Sequence, residues 1–178
     1  LGGHLPVPVV ATGVVLYANG MGSSRQSPRK QAVAAVLTRA GLATLLFDLL
    51  TRKEEADRSM IFDIALLGGR LLEVTHWLKS QIELVNLPVG YFGASTGAAA
   101  ALWAAADQNV EISAIVSRGG RPDLAGGRLP TVRAATLLIV GGLDNVVIDL
   151  NRQAQAELLC ESELVLILGA THLFEEAG

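Results

Sequence analysis

The sequence has few charges, a single cysteine and no long hydrophobic run. Charged residues make up 17% of its 178 residues and hydrophobic ones 51%, so a disordered chain is excluded and a large buried core is expected. The longest unbroken apolar run, 97–106, is about half of the ~18 residues that a membrane-spanning helix needs. We therefore expect a soluble protein with no membrane partner.

Basic clusters and secretory features are also missing. The 14 Lys and Arg against 17 Asp and Glu give a net charge of -3, and no basic cluster could follow a phosphate backbone, so nucleic acid is not an expected partner. Cys160 alone cannot form an internal disulfide, and no basic segment followed by an apolar one opens the chain. These features predict a cytoplasmic protein, and the length predicts one domain over residues 1–178.

Short apolar runs alternate along the chain with helical patterns. The runs are 14–18, 43–47, 89–94, 112–116, 135–140 and 164–168, and the helical patterns are 27–41, 61–78, 96–107 and 148–159. None of the runs alternates apolar with polar residues, which is typical of parallel strands covered by helices on both faces. We predict an α/β fold with a doubly wound, mostly parallel sheet, whose ligand site lies beyond the carboxyl ends of its strands.

A G-x-S-x-G motif follows the third of these runs. Gly93, Ser95 and Gly97 stand where the apolar strand turns directly into an alanine-rich helix. Small residues at the two glycine positions let strand and helix approach while the serine side chain points outward, as in a nucleophile elbow. The alternative interpretation is a serine that only caps the helix.

A serine nucleophile needs a base, and the base needs an orienting acid. Asp144 and His172 each stand four positions past an apolar run, at the functional edge of the predicted sheet. His4 lies near a terminus and His76 within a helical pattern, so neither is expected to take part in chemistry. For Asp144 the alternative is a turn-forming aspartate in a glycine-rich loop.

The order Ser95, Asp144, His172 is the nucleophile, acid, base order of α/β hydrolases. Six further stretches resemble those of dienelactone hydrolase-like α/β hydrolases: 20–25 (GMGSSR), 27–29 (SPR), 47–51 (FDLLT), 91–97 (YFGASTG), 117–123 (SRGGRPD) and 169–174 (GATHLF). The resemblance covers nearly the whole chain. It implies an α/β-hydrolase fold without a lid domain and a serine hydrolase with these three residues as its triad, with no metal or cofactor.

The chain departs from that family at three places. The hydrolases that give the family its name use a cysteine nucleophile, so the lactone substrate does not carry over to Ser95. Asn19-Gly20 stands where such hydrolases usually have His-Gly. The sequence also ends soon after His172, where the family usually adds a helix, so we expect that last helix to be absent or the chain to be incomplete.

The tetrahedral intermediate of acyl transfer needs two N–H donors for its oxyanion. By position these are the backbone groups of Met21 and Thr96. Asn19, Arg118 and Arg121 are candidate substrate-binding residues, although 118–123 reads equally well as a structural turn. The predicted reaction is hydrolysis of small carboxylic esters, lactones or thioesters through an acyl-enzyme, in a site left open because 117–134 is too short to build a lid.

Two other functions remain alternatives. Gly20 and Gly22 after the first strand, with Asp48 ending the next, could belong to a nucleotide-binding module, although Arg25 occupies the third glycine position of that motif. A hydrolase scaffold that only binds a partner is the other alternative. The charged stretch 52–58 is predicted to be a solvated loop.

Overall fold

Seven strands form one sheet in the computed structural model, which describes residues 3–8, 11–18 and 27–176. The strands are β1 (Gly3–His4), β2 (Gly13–Ala18), β3 (Leu42–Phe47), β4 (Val89–Ala94), β5 (Ala114–Arg118), β6 (Ala135–Gly141) and β7 (Ser162–Ile167). Their order across the sheet is β1-β3-β2-β4-β5-β6-β7. Strands β2 to β7 are all parallel and the two-residue β1 is antiparallel to β3, so the predicted doubly wound, mostly parallel sheet is confirmed.

The helices lie on both faces of this sheet. They are α1 (Pro28–Arg39), α2 (Arg58–Ile61), α3 (Ile64–Lys79), α4 (Thr96–Ala105) and α5 (Asn145–Glu157), with 3₁₀ turns at Glu54–Ala56 and Pro122–Thr131. Proline at its first position starts α1, and Gly41, with a φ of 86°, follows its end. No helix within the described ranges combines the length and apolar character needed to cross a bilayer.

The centre of the core is α4, which is buried on every side. Its residues Ala98 to Leu102 are all 0% exposed. Helix α3 packs against it at Gly68, where an added Cβ would stand 2.3 Å from the Trp103 ring. Glycine is therefore required there by close helix packing, although it lowers helix propensity.

Three expectations need correction. The predicted helix 61–78 begins at Ile64, because the Asp63 carboxylate accepts a hydrogen bond from the backbone of Leu66 at 2.9 Å and caps it. The predicted strand 112–116 runs instead over Ala114–Arg118, in register with β4 and β6. The stretch 52–58 is not only a solvated loop: Glu54 forms a bidentate pair with Arg70 at 2.8 and 2.9 Å, and hydrogen bonds from Arg70 and Thr51 lower its pKa to about 2.

Candidate active site

Ser95 occupies the turn between β4 and α4 in a backbone conformation that few residues adopt. Its φ is 52° and its ψ is -128°. At Gly93 an added Cβ would stand 2.4 Å from the Cα and 2.7 Å from the nitrogen of Ala98. The turn can be this tight only because position 93 has no side chain, and a positive φ at a non-glycine residue is typical of a nucleophile elbow.

Backbone groups hold this turn and leave one donor available. The carbonyl of Ser95 accepts hydrogen bonds from the N–H groups of Ala98 and Arg121, both at 3.1 Å. Thr96 is the first residue of α4, so its own N–H has no acceptor within the helix and lies at the positive end of the helix dipole. A developing negative charge next to Ser95 would be stabilised there.

Asp144 and His172 are joined by a hydrogen bond. The distance between Oδ2 of Asp144 and Nδ1 of His172 is 2.7 Å. The aspartate side chain is 17% exposed and the histidine side chain 45%. Asp144 precedes α5 but does not cap it with its side chain, so its carboxylate is free to bind the imidazole. With Nδ1 engaged, Nε2 is the ring nitrogen left for proton transfer.

The turns that carry these two residues are tied to each other. Gly142 donates to the carbonyl of Ile167 at 2.8 Å, and Leu143 donates to that of Ala170 at 3.0 Å. A Cβ on Gly141 would stand 2.4 Å from the carbonyl oxygen of Thr171. The absence of a side chain at Gly141 therefore permits close contact between the turns after β6 and β7.

His172 reaches back across β6 to the turn after β5. A Cβ on Gly119 would be 3.2 Å from the His172 carbonyl oxygen and 3.7 Å from its Cε1. The strand that Gly119 follows is paired with β4, with Arg118 opposite Ala94. Ser95 and the histidine thus lie on either side of one turn, and no hydrogen bond joins these two described residues. Such bonds are often long before substrate binds.

The other carboxylates considered from sequence are engaged elsewhere. Asp123 binds Arg121 through two hydrogen bonds of 2.9 and 2.7 Å. Asp149 pairs with Arg152 at 3.3 Å. The guanidinium of Arg121 therefore already has a carboxylate partner. That its side chain also contacts the substrate stays a prediction.

Several predicted residues cannot be placed. Asn19 and Met21, like Gly20 and Gly22 of the nucleotide-binding alternative, lie outside the described residues.

Asp48, the other residue of that alternative, follows β3 and lies near the buried Lys30. Burial lowers the pKa of Lys30 to about 8, and the charge of Asp48 opposes this shift. Within the described ranges, no three His, Cys, Asp or Glu side chains are grouped so as to hold a metal ion.

Arg29 and Arg118 both contact the segment that follows β7 and carries His172, a grouping that the sequence did not indicate. Arg29 on α1 donates to the carbonyl of Leu173 and to the carboxylate of Glu175, both at 2.6 Å. Arg118 stands with Nη1 3.5 Å from the carbonyl oxygen of His172 and its Cζ 5.3 Å from the Phe174 ring centre. Burial, and then the charge of Arg29, lower the pKa of Arg118. No local motif could have indicated the Arg29 contacts, since they join opposite ends of the chain.

The fold and this site define the class of protein. Est1E from Butyrivibrio proteoclasticus matches 98% of this chain over 86% of its own, with a TM-score of 0.81 at 14% identity. A serine hydrolase homologue from Coxiella burnetii matches 97% of this chain over 83% of its own, with a TM-score of 0.74 at 16% identity. The architecture is that of an α/β hydrolase.

A dienelactone hydrolase from Anabaena variabilis ATCC 29413 is similar in sequence as well. It is 55% identical, with a TM-score of 0.94, over 99% of this chain and 83% of that one. The chain belongs to the dienelactone hydrolase-like α/β hydrolases. No family model matches the sequence.

Two curated relatives are named for a different activity. Both come from Mycobacterium tuberculosis, strains CDC 1551 and H37Rv, and their names provisionally designate them phosphoribosyl transferases. Each is 60% identical over 176 residues, which is 99% of this chain. The chain spans 40% of the length of these relatives.

Proposed function

We propose that this chain is a serine hydrolase that cleaves small carboxylic esters through an acyl-enzyme on Ser95. One observation carries the proposal: the Asp144–His172 hydrogen bond lies at the same sheet edge where Ser95 occupies a strained strand-to-helix turn. A carboxylate-oriented imidazole beside a serine hydroxyl is the arrangement that activates a serine. Cytoplasmic location remains part of the proposal and rests on the sequence composition.

In the first half-reaction Ser95 Oγ attacks the ester carbonyl carbon while Nε2 of His172 takes its proton. The tetrahedral intermediate collapses, the bond to the alcohol oxygen breaks, and the imidazolium gives its proton to the departing alcohol. Water then attacks the acyl-enzyme, passing a proton to His172, and the acid is released as Ser95 recovers its proton. Throughout, Asp144 holds the imidazole in the tautomer that leaves Nε2 able to accept.

Stabilisation of the oxyanion falls to backbone donors. Thr96 supplies the N–H at the start of α4, and Met21 is the proposed second donor. A helix N-terminus is effective because its dipole is already oriented before charge develops.

The exposure of the site favours short substrates. The His172 side chain is 45% exposed, and the connection from β5 to β6 is occupied by the 3₁₀ turns of Pro122–Thr131 rather than by a helical lid. With no helical lid among the described residues, little apolar surface of a long acyl chain would be removed from water. We therefore propose acetate and butyrate esters, or comparably small lactones and thioesters, as the substrate class.

The test is hydrolysis of p-nitrophenyl esters of graded acyl length, with labelling by a fluorophosphonate probe. Ser95→Ala should lower kcat/KM by at least about a thousandfold and abolish labelling. Ser113→Ala is the matched control, because Ser113 precedes β5 at the opposite end of the sheet; it should behave as wild type. Labelling that persists in Ser95→Ala contradicts the nucleophile assignment, and faster turnover of long-chain esters contradicts the substrate class.

Phosphoribosyl transfer is a second candidate, favoured by the names of the two mycobacterial relatives. Because this chain spans 40% of their length, we propose that the hydrolase site belongs to this part and the named activity to the rest of those proteins. Diphosphate release from 5-phosphoribosyl 1-diphosphate with a nucleobase acceptor tests this. Release by this chain that is insensitive to Ser95→Ala would place the transferase here.

A further inference from the structure

His172 lies on a segment that has little structure of its own to hold it. Residues 171–176 form neither helix nor strand, and all but the half-buried Phe174 are exposed. Phe174 itself has a φ of 55°, a conformation that a bulky side chain keeps only when its surroundings impose it. The position of the imidazole must therefore depend on contacts from outside the segment.

Besides the contacts from the turn after β6 described above, contacts come from α1 and from the end of β5. Arg29 forms a 2.6 Å hydrogen bond from Nη1 to the carbonyl of Leu173, the residue after His172. Its Nη2 binds the Glu175 carboxylate, also at 2.6 Å. From the end of β5, Arg118 places its Cζ 5.3 Å from the centre of the Phe174 ring. The guanidinium of Arg29 thus spans the segment at two points that bracket its strained residue.

We propose that Arg29 is a positioning residue for the general base: its hydrogen bond to the Leu173 carbonyl holds the His172 segment so that Nε2 can reach Ser95. The inference rests on the proposed serine hydrolase function. Asp144 fixes the rotation and tautomer of the ring, whereas Arg29 fixes the backbone that carries the ring. Misplacing a catalytic group by about an ångström is enough to lower turnover strongly.

The bond to the Leu173 carbonyl, rather than the ion pair with Glu175, is the important one. The Arg29 and Glu175 side chains are 43% and 58% exposed, and ion pairs between such exposed groups contribute little stability. The bond to the carbonyl acts on the main chain directly next to His172. Removing the carboxylate should therefore have a much smaller effect than removing the guanidinium.

The experiment compares four variants in ester turnover. Arg29→Met should lower kcat about tenfold and leave KM within about twofold, because the change affects the chemical step rather than binding. Arg29→Lys, which can still reach the carbonyl with one donor, should recover part of the loss. Glu175→Gln should stay within about threefold of wild type. Arg39→Met at the other end of α1 is the matched control and should be unchanged.

A second readout does not depend on activity. Hydrogen–deuterium exchange over residues 170–176 should be faster in Arg29→Met than in wild type, with exchange in β4 and α4 unchanged. Wild-type exchange and wild-type kcat in Arg29→Met would overturn the proposal, and so would a raised KM with unchanged kcat, which would make Arg29 a substrate-binding residue. A wild-type chain without turnover or labelling overturns the proposed function instead, while exchange still decides whether Arg29 orders the segment.

Discussion

The two halves of the candidate site are held in place by different means. Ser95 stands between β4 and α4, where the neighbouring alanines of the helix are 0% exposed and backbone atoms of Ala98 touch the space next to Gly93. Asp144 and His172 stand on turns after β6 and β7, close to the edge of the sheet, and the histidine side chain is 45% exposed. Close packing around a buried helix holds the first half, whereas the second half depends mainly on hydrogen bonds, with close backbone contact only where Gly141 meets the turn after β7.

This difference indicates where substitutions should be felt. In the nucleophile half, a change of one methyl group alters contacts that run through the core, so the free energy of unfolding should respond. In the histidine half, a lost polar contact frees a surface segment whose side chains bury little apolar area, so turnover should respond while stability changes little. The predictions below test this division.

The largest effect is expected at the acid. Asp144→Asn should lower kcat at least about a hundredfold without a matching loss of stability, because an amide at this position no longer selects the imidazole tautomer that leaves Nε2 free. Asp123→Asn and Asp149→Asn are matched controls, since both carboxylates bind arginines instead. Each should cost less than about tenfold. Steady-state kinetics on folded variants decide; a greater loss in Asp123→Asn would move the acid to the turn after β5.

The second prediction concerns the nucleophile half. Gly93→Ala should lower the free energy of unfolding by about 3 kcal/mol, since its Cβ would meet backbone atoms that cannot rotate away. Gly90→Ala, on the same strand, meets one carbonyl oxygen at 3.3 Å and should cost less than about 1 kcal/mol. Urea denaturation measures both. Equal stability of the two variants would show that the elbow is not held by packing.

The same division decides what could be predicted from sequence. Five consecutive residues after an apolar run indicate the Ser95 turn, and the predicted parallel sheet, which is confirmed, brings the turns of Asp144 and His172 to the same edge as Ser95. The contact from Arg29 to Leu173 has no such signal, because it joins residues 144 positions apart through a carbonyl that any residue supplies. The ion pair between Glu54 and Arg70 was not predicted for the same reason. A charged stretch indicates a solvated loop unless the fold, which the local sequence does not show, brings a partner of opposite charge close to it.

A third test examines how far the buried half tolerates added volume. Gly68→Ala would place a methyl group 2.3 Å from the Trp103 ring, which is itself covered by Arg128 at 3.6 Å. The expected loss of unfolding free energy is about 1–2 kcal/mol after the gain in helix propensity. The neighbouring Gly69 has nothing within 4 Å of an added Cβ, so Gly69→Ala should raise stability by about 0.5–1 kcal/mol. The two substitutions should therefore change the free energy of unfolding in opposite directions. A change in the same direction would contradict the close packing of α3 on α4 at Gly68.

The smallest effect is expected beneath the histidine half, at Lys30, which is 7% exposed. Burial is the main cause that lowers its pKa from 10.5 to about 8, and Arg118 adds to this while Asp48 and Glu55 oppose it. At a pH between about 8 and 10.5, Lys30 keeps its proton in the unfolded chain but has released it in the folded one. The free energy of unfolding must therefore rise with pH over this range. Relative to Lys30→Met, the free energy of unfolding of the wild type should rise by about 1 kcal/mol between about pH 8 and 10.

Two buried tyrosines also affect stability at high pH. Burial raises the pKa of Tyr17 and Tyr91 above the usual 10.0, which lowers the free energy of unfolding at higher pH, equally in both proteins. If the free energy of unfolding changes with pH in the same way in both proteins, the pKa of Lys30 is not lowered by folding. The Lys30 ammonium would then be better solvated than its burial indicates.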